Sequence, residues 1–443
     1  MSEAVFIDLG EERSVVEERP AGSRRGPARR APLAALVLVV ELLLTGGSAV
    51  TASPFTLLAT IDAPSVSTTA IGDGGVFVAG GTGTAFFVAR YALDTGALTW
   101  KTAVTNRADS LAYLAGAGVL TVWSNGQDAS NRFTMLDAAT GARLWDLVGD
   151  LYAPAASDAT RTLTVAGDPD TPRQVRYVDL RTGRARWTRP VPAVAQIVAT
   201  DVRAPSDGAG FVLVAAQDGT VTLLARETGA VLGSLKIDPL VPVDVASTNP
   251  PDIPLLEMFE GRLVVARRMG TADGEIASYD LPGLTLRWRR SGLLPGYPWP
   301  CGVNLCLSGM ASEMTALDPA TGANRWSIDG WQAAGDLDGG RMLAFRAGGQ
   351  AHAGIIDSTT GRLLGDLGLW TLVSGLDNYL VIQSIGDGTR SSWIGVVDLV
   401  RATVRPVGKL DDLRSRGCVS RGDVLACITL DSSVRVWRYE SAR

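Results

Sequence analysis

Four cysteines are the residues whose spacing most directly predicts a chemistry. They form two close pairs: Cys301 and Cys306 enclose GVNL, and Cys418 and Cys427 enclose VSRGDVLA. Each enclosed segment reads as a turn between two strands, so both pairs can form cross-strand disulfides, which persist in oxidising compartments. Neither pair has C-x2-C spacing and His352 is the one histidine, so no metal site is predicted. Four free buried thiols are the alternative.

Catalytic motifs are not found in the sequence. It lacks a C-x-x-C-H haem site, a G-x-S-x-G nucleophile elbow and a Walker-type phosphate loop. His352 has no identifiable carboxylate partner, and an isolated histidine is more often a surface or packed residue than a base. Regularly spaced aspartates remain, but each belongs to a turn motif. We therefore predict no catalytic residue and a protein that is not an enzyme.

The aspartates belong to an internal repeat. An apolar strand, an Asp, two variable residues, Thr-Gly and a strand that often carries Trp recur every 39 to 54 residues, as in MLDAATGARLW. This period is typical of a four-stranded propeller blade. Gly permits a positive φ in the turn, Asp accepts hydrogen bonds from turn amides, and Trp can pack over the neighbouring blade's turn. The predicted structural residues are Asp94, Gly96, Trp100, Asp137, Gly141, Trp145, Asp179, Gly183, Trp187, Asp318, Gly322, Trp326, Asp357 and Gly361.

An all-β fold follows from the repeat. No stretch beyond residue 50 has convincing helical periodicity, and short apolar strands precede the motifs. The C-terminal run DVLACITLDSSVRVWRYES has no outer strand after it, whereas residues 53–63 form one strand too many before the first motif. Pairing the two would complete a mixed blade and remove both sheet edges. We predict a single propeller over residues 53–443 with eight four-stranded blades; seven and nine also fit.

The first fifty residues differ from the rest. Residues 1–30 are acidic and then Arg-rich, and we expect a disordered cytoplasmic tail. Residues 31–50 carry Glu41 as their only charge, and twenty helical residues span about 30 Å, enough to cross a bilayer. The preceding arginines predict a single-pass cell-membrane protein whose propeller is extracytoplasmic. A signal peptide, cleaved or retained, is the alternative, because Glu41 is costly in a membrane.

The pattern (L/V)D-x-x-TG-x-x-x-W resembles the repeat of the pyrroloquinoline-quinone (PQQ) dehydrogenase-like β-propeller superfamily, over nearly the whole chain after residue 60. The resemblance implies the fold and leaves the function open. That superfamily includes quinone-dependent dehydrogenases, the propeller lipoprotein of the outer-membrane β-barrel assembly machinery and membrane-anchored repeat proteins, which this layout resembles most. The alcohol dehydrogenases use adjacent cysteines and a calcium site, and no two cysteines are adjacent here. PQQ and calcium are therefore not expected as cofactors.

A binding module is the resulting functional hypothesis. The net charge of −5 argues against a nucleic-acid partner. We expect a membrane-anchored scaffold for a protein or small ligand; the alternatives are a degenerate quinone-binding protein and a PQQ-dependent dehydrogenase. The candidate binding loops are residues 202–210, 238–254 and 291–300. The last of these carries Tyr297 and Trp299, aromatic residues of the kind found at recognition surfaces, although a structural lid is an equal alternative.

Overall fold

Short apolar strands alternate with glycine-containing turns through the whole structure, a computed structural model. It describes residues 54–125, 130–152, 160–167, 173–192, 195–199, 210–216, 218–237, 255–268, 274–292, 297–308, 313–337, 339–346, 352–373, 380–384 and 390–440. The predicted tail (1–30) and apolar segment (31–50) lie outside the described residues. Among the residues that the structure does describe, no helix is long and apolar enough to cross a membrane.

Thirty-five strands and one short 3-10 helix make up the described chain. They are β1 Phe55–Ile61, β2 Thr68–Gly72, β3 Gly75–Thr82, β4 Ala85–Ala92, β5 Leu98–Val104, β6 Ser110–Leu114, the 3-10 helix Ala115–Ala117, β7 Val119–Asn125, β8 Asn131–Asp137, β9 Arg143–Leu151, β10 Arg161–Ala166, β11 Arg173–Asp179, β12 Ala185–Val191, β13 Ala195–Ala199, β14 Phe211–Ala216, β15 Thr220–Ala225, β16 Val231–Lys236, β17 Leu255–Phe259, β18 Arg262–Arg268, β19 Gly274–Asp280, β20 Thr285–Ser291, β21 Tyr297–Cys301, β22 Asn304–Ser308, β23 Glu313–Leu317, β24 Asn324–Asp329, β25 Trp331–Leu337, β26 Arg341–Arg346, β27 His352–Asp357, β28 Leu363–Leu369, β29 Thr371–Leu372, β30 Leu380–Ser384, β31 Ser391–Asp398, β32 Thr403–Asp411, β33 Leu413–Arg421, β34 Val424–Thr429 and β35 Val434–Tyr439.

The strands form eight antiparallel sheets, which confirms the all-β prediction. Six sheets contain four consecutive strands: β2 to β5, β13 to β16, β17 to β20, β21 to β24, β25 to β28 and β29 to β32. A seventh contains β6 to β12, because β9 pairs with β8 through residues 143–148 and with β10 through residues 149–151. Counting sheets gives eight and counting four-stranded repeats gives nine, so the blade number stays a prediction. We number the repeats along the chain, so the third is the end of β9 with β10, β11 and β12.

The eighth sheet joins the two ends of the described chain. Its order is β1-β35-β34-β33, and β1 pairs antiparallel with β35 from Phe55 opposite Tyr439 to Ile61 opposite Val434. The Tyr439 hydroxyl also donates to the Gly422 carbonyl at 2.8 Å. The inner strand β2 contacts both β33 and β6, so this closing sheet packs directly against the first repeat.

Hydrophobic cores lie between neighbouring sheets. One cluster joins Phe77 and Trp100 of the first repeat to Leu120 and Leu136 of the second. Central strands are therefore covered on both faces and show no inside–outside alternation; all six residues of β34 are buried.

The last strand of each repeat carries a β-bulge, and so does β1, which takes this place in the closing sheet. We call these strands the outer strands. In β5, for example, Leu98 pairs with Tyr91 and Trp100 with Arg90, so Thr99 is the extra residue. A bulge twists an edge strand and discourages edge-to-edge association. The same irregularity interrupts β1, β9, β12, β16, β20, β24, β28 and β32.

Candidate interaction surface

The motif aspartates are turn residues in the structure. Asp137 Oδ1 accepts hydrogen bonds from the amides of Ala139 at 3.1 Å and Thr140 at 2.9 Å, and the Gly141 amide donates to the Asp137 carbonyl at 2.8 Å. Gly141 has a φ of 74°, a conformation that favours glycine. The same side-chain bonding pattern recurs at Asp179, Asp318, Asp357 and Asp398.

These contacts also fix the ionisation of the motif carboxylates. The hydrogen bond from Arg181 is the main cause that lowers the pKa of Asp137. At Asp179 and Asp357 burial acts to raise the pKa, but hydrogen bonds from the following Thr and neighbouring groups outweigh it, and the pKa lies below the ordinary value. A general base works best with a pKa near the working pH, so these carboxylates suit turn stabilisation rather than proton transfer.

Asp94 does not occupy the motif position. In YALDTG the aspartate lies two residues before Gly96, whereas in the other copies it lies four residues before the glycine. Ala92 takes the equivalent place, since the Gly96 amide donates to the Ala92 carbonyl at 2.9 Å and Asp94 is exposed. The Thr-Gly pair is present in this copy as in the others, so the pattern did not show that the aspartate stands two residues later.

The motif tryptophans join five of the repeats to the repeat that follows. The Trp100 indole N–H donates to the Ala138 carbonyl at 3.1 Å, in the turn of the second repeat. Its ring lies beneath the turn glycine, where a Cβ on Gly141 would come within 2.6 Å of the indole. The glycine is therefore required both by its φ and by the ring. The same docking links Trp145 to Gly183, Trp187 to Gly229, Trp288 to Gly322 and Trp326 to Gly361.

At two junctions the glycine stands on the outer strand and a residue with a side chain stands in the turn. Gly233 and Gly365 stand at the tryptophan position, and the turns that they face carry Leu284 and Ala402 instead of glycine. Both turn residues have positive φ, 51° and 52°. In the fifth repeat Leu284, and not the neighbouring Gly283, holds the turn position, since Leu284 has the positive φ and a Cβ added to Gly233 would lie 3.5 Å from its side chain.

Both predicted disulfides are present. Cys301–Cys306 spans the β21–β22 hairpin, and Cys418–Cys427 joins residues directly opposite each other on β33 and β34. All four cysteines are buried. Among the described residues no group of three or more His, Cys, Asp or Glu side chains could hold a metal ion.

His352 has the carboxylate partner that the sequence did not reveal. Its Nε2 lies 2.5 Å from Asp366 Oδ1, and its ring meets Trp331 edge-on at 6.3 Å between ring centroids. The two polar residues are on adjacent strands, β27 and β28, fourteen positions apart. Because register shifts interrupt this strand pair, sequence spacing alone could not align them.

Trp299 is part of a strand and not of an exposed loop. It lies in β21 opposite Cys306, and its half-buried side chain packs against a core cluster that includes Cys301, Trp326 and Trp331. Tyr297 begins the same strand. Of the other two proposed loops, residues 202–209 of the loop 202–210 and all of 238–254 lie outside the described residues.

An unpredicted surface feature lies on the outer strands. Two residues before the tryptophan position, five strands carry an exposed apolar side chain, between 37% and 54% exposed. Other repeats place Arg143, Ala185 or Asn324 at this position. Exposed apolar side chains that recur at one structural position are a candidate for protein contact. The five, called the apolar rim, are Leu57, Leu98, Val231, Leu286 and Leu363.

Comparison with known proteins identifies the repeat. The described sheets and inter-repeat junctions define a β-propeller, and a family model described as outer membrane protein assembly factor BamB matches residues 51–232. Residues 51–232 thus match a model of the PQQ-like propeller repeat, which confirms the predicted resemblance. No curated protein sequence matches significantly.

Solved structures that resemble the chain have little sequence identity with it. BamB from Moraxella catarrhalis is 13% identical, with 88% of this chain and 99% of that chain covered and a TM-score of 0.45. The computationally designed Ika8 protein is 15% identical, with 86% and 99% covered and a TM-score of 0.46. Quinohemoprotein alcohol dehydrogenase from Comamonas testosteroni is 11% identical, with 66% and 72% covered and a TM-score of 0.38.

Proposed function

We propose that this protein is a non-enzymatic scaffold whose propeller binds a protein partner outside the cytoplasm, and that residues 31–50 hold it at the cell membrane. The match of residues 51–232 to a family of assembly factors carries the proposal. Eight blades are expected. The motif carboxylates are engaged in turns and the tryptophans in junctions, which leaves the outer strands as a surface for recognition.

Two further observations support the compartment and the attachment. The two disulfides favour an oxidising environment. Arginines immediately before residues 31–50 favour a cytoplasmic N-terminus. N-terminal sequencing of the protein from isolated membranes tests the anchor: an intact start supports it, and a start near Ser53 contradicts it.

Site-specific photo-crosslinking tests partner binding. A photoreactive residue replaces Leu98 or Val231 of the apolar rim, and the matched control carries it at Asn324, the same structural position in another repeat. We expect one discrete crosslinked protein from the two rim positions and none from the control. Equal crosslinking at all three positions, or none at any, would contradict a protein-binding rim.

A further inference from the structure

The third repeat carries an unusual concentration of positive charge. Its described residues, 149–152, 160–167 and 173–192, contain seven arginines against two carboxylates, Asp150 and Asp179. The described part of the sixth repeat, 297–308 and 313–329, contains Arg325 against three carboxylates. The whole chain has a net charge of −5, so this density is local. The arginines are Arg161, Arg173, Arg176, Arg181, Arg184, Arg186 and Arg189.

Four of these arginines lie at one end of the sheet. Arg161 begins β10 and pairs with Asp179, the last residue of β11, while Arg181 and Arg184 lie in the turn that follows and Arg186 is in the bulge of β12. The side chains of Arg161, Arg181 and Arg186 are 44%, 50% and 49% exposed. Arg184 is exposed as well. We call these four residues the arginine seam.

Nearby carboxylates do not balance the arginine seam. Asp137 receives Arg181 at 2.5 Å but is only 14% exposed, and Asp179 is bound by the amides of its own turn. Glu227, from the turn of the next repeat, is the exposed carboxylate at this place. One Glu227 oxygen lies 2.5 Å from Arg186 and 3.9 Å from Arg161, and the other accepts from the Tyr177 hydroxyl at 3.0 Å.

The contacts of Glu227 show how the arginine seam receives a carboxylate. Each guanidinium has five N–H donors, and those of Arg161 and Arg186 share this single acceptor group, so donors remain for further oxygens. Planar guanidinium groups favour paired recognition of carboxylates, and hydrogen bonds between ions are stronger than neutral ones. An additional carboxylate brought alongside Glu227 would therefore meet oriented donors and a positive potential.

We propose that the arginine seam binds an acidic segment of the partner protein. This proposal rests on the proposed function as a protein-binding scaffold and adds the chemistry of the partner. A short acidic peptide fits better than a nucleic acid, since a long polyanion would also approach the rest of a chain whose net charge is −5. Binding through opposite charges should weaken with salt, because screening shortens the reach of exposed charges to about 8 Å at physiological ionic strength.

Fluorescence anisotropy with a labelled octaglutamate peptide tests the proposal on the full chain in a neutral detergent. The triple variant Arg161→Gln, Arg184→Gln, Arg186→Gln should bind at least about tenfold more weakly than the parent at low salt. Arg325→Gln is the matched control, since Arg325 occupies the bulge of β24 as Arg186 does in β12, and its affinity should stay within about twofold. The double variant Arg161→Lys, Arg186→Lys keeps the charge and should lose less than the triple variant.

Unchanged octaglutamate affinity in the triple variant would overturn the proposal, as would an equal loss in Arg325→Gln. A second outcome would also overturn the proposal. If phosphatidylglycerol vesicles bind the parent but not the triple variant, and octaglutamate does not displace them, the arginine seam binds a lipid headgroup. Should the triple variant misfold, Arg184→Glu alone, which leaves the Glu227 contacts intact, should still weaken binding. The crosslinking experiment at the apolar rim tests the scaffold function separately. If the rim crosslinks to a partner but octaglutamate does not bind, only the proposal of an acidic segment is refuted.

Discussion

Replacing Gly322 by Ala tests whether the junction between repeats depends on the close approach of a tryptophan. Gly322 has a φ of 71°, and an added Cβ would lie 2.6 Å from the Trp288 ring. Left-handed backbone costs an alanine about 1–2 kcal/mol. Forcing a methyl group into a filled site adds roughly 1–3 kcal/mol. We therefore expect Gly322→Ala to lower the free energy of unfolding by about 2–5 kcal/mol.

Gly261 provides a matched control for the backbone term. Its φ is also 71°, but an added Cβ would meet no heavy atom within 4 Å. Gly261→Ala should therefore show only the left-handed cost, about 1–2 kcal/mol. Urea unfolding followed by tryptophan fluorescence measures the free energy of unfolding of both variants. The values are compared where the dependence on urea concentration is the same. Equal destabilisation by the two substitutions would refute the steric account of the junction.

A double exchange tests the same junction in the opposite direction. Trp288→Gly alone removes a buried ring and its hydrogen bond and should cost about 3–5 kcal/mol. Combining it with Gly322→Leu reproduces the Gly233 and Leu284 pair that another junction already uses. The pair should lose at least about 1 kcal/mol less than the sum of the single variants. Additive losses would show that the two positions do not compensate each other.

Three other outcomes follow from the described contacts. Replacing both Cys418 and Cys427 by Ala should cost about 2–3 kcal/mol for a loop of this length, and without reduction none of the four thiols of the parent should be alkylated. Asp137→Asn should lower the free energy of unfolding at neutral pH, because the hydrogen bond from Arg181 lowers the pKa of Asp137 in the folded protein and so stabilises it. The ionised carboxylate contributes this stability above the ordinary pKa of aspartate. The contribution disappears as the pH falls below about 4, so the difference between the parent and the variant should shrink there. Tyr439→Phe removes the hydroxyl bonded to Gly422 and should cost about 1 kcal/mol, with Tm as the readout.

The repeat motif made most of the fold predictable, because its determinants are local. Thr-Gly and a preceding Asp specify a turn, and the position of Trp predicts its contact with the next repeat. Asp94 was assigned to the wrong position because its turn has the usual length with Ala92 at the motif position, and an aspartate two residues later leaves the Thr-Gly signal unchanged. The role of Leu284 was not predictable, because its turn lacks the Thr-Gly pair and a non-glycine residue with positive φ has no signature in the sequence.

Candidate surface residues were much less predictable, since they depend on partners distant in sequence. His352 meets Asp366 only through an irregular strand pairing, and Arg161 meets Glu227 across a boundary between repeats. Trp299 was predicted to be a recognition residue from its aromatic side chain, but the exposure of a side chain is decided by the sheet that packs against it. The apolar rim becomes visible only after the bulges align the outer strands.

The docking of each indole onto the following turn gives the circle of repeats a direction. At five junctions a repeat supplies a ring to the repeat that follows it, and at the closing sheet Ala59 of β1 takes this role against Gly96. The two residues of a junction must therefore match each other, although one is encoded in each of two successive repeats. Moving a whole repeat next to a junction of the other kind would set its indole against Leu284 or Ala402, or its turn glycine against Gly233 or Gly365, and would break the matched pairs. Exchange with breakpoints inside repeats would preserve the pairs, so variation in this chain should accumulate as exchanged junctions rather than as exchanged blades.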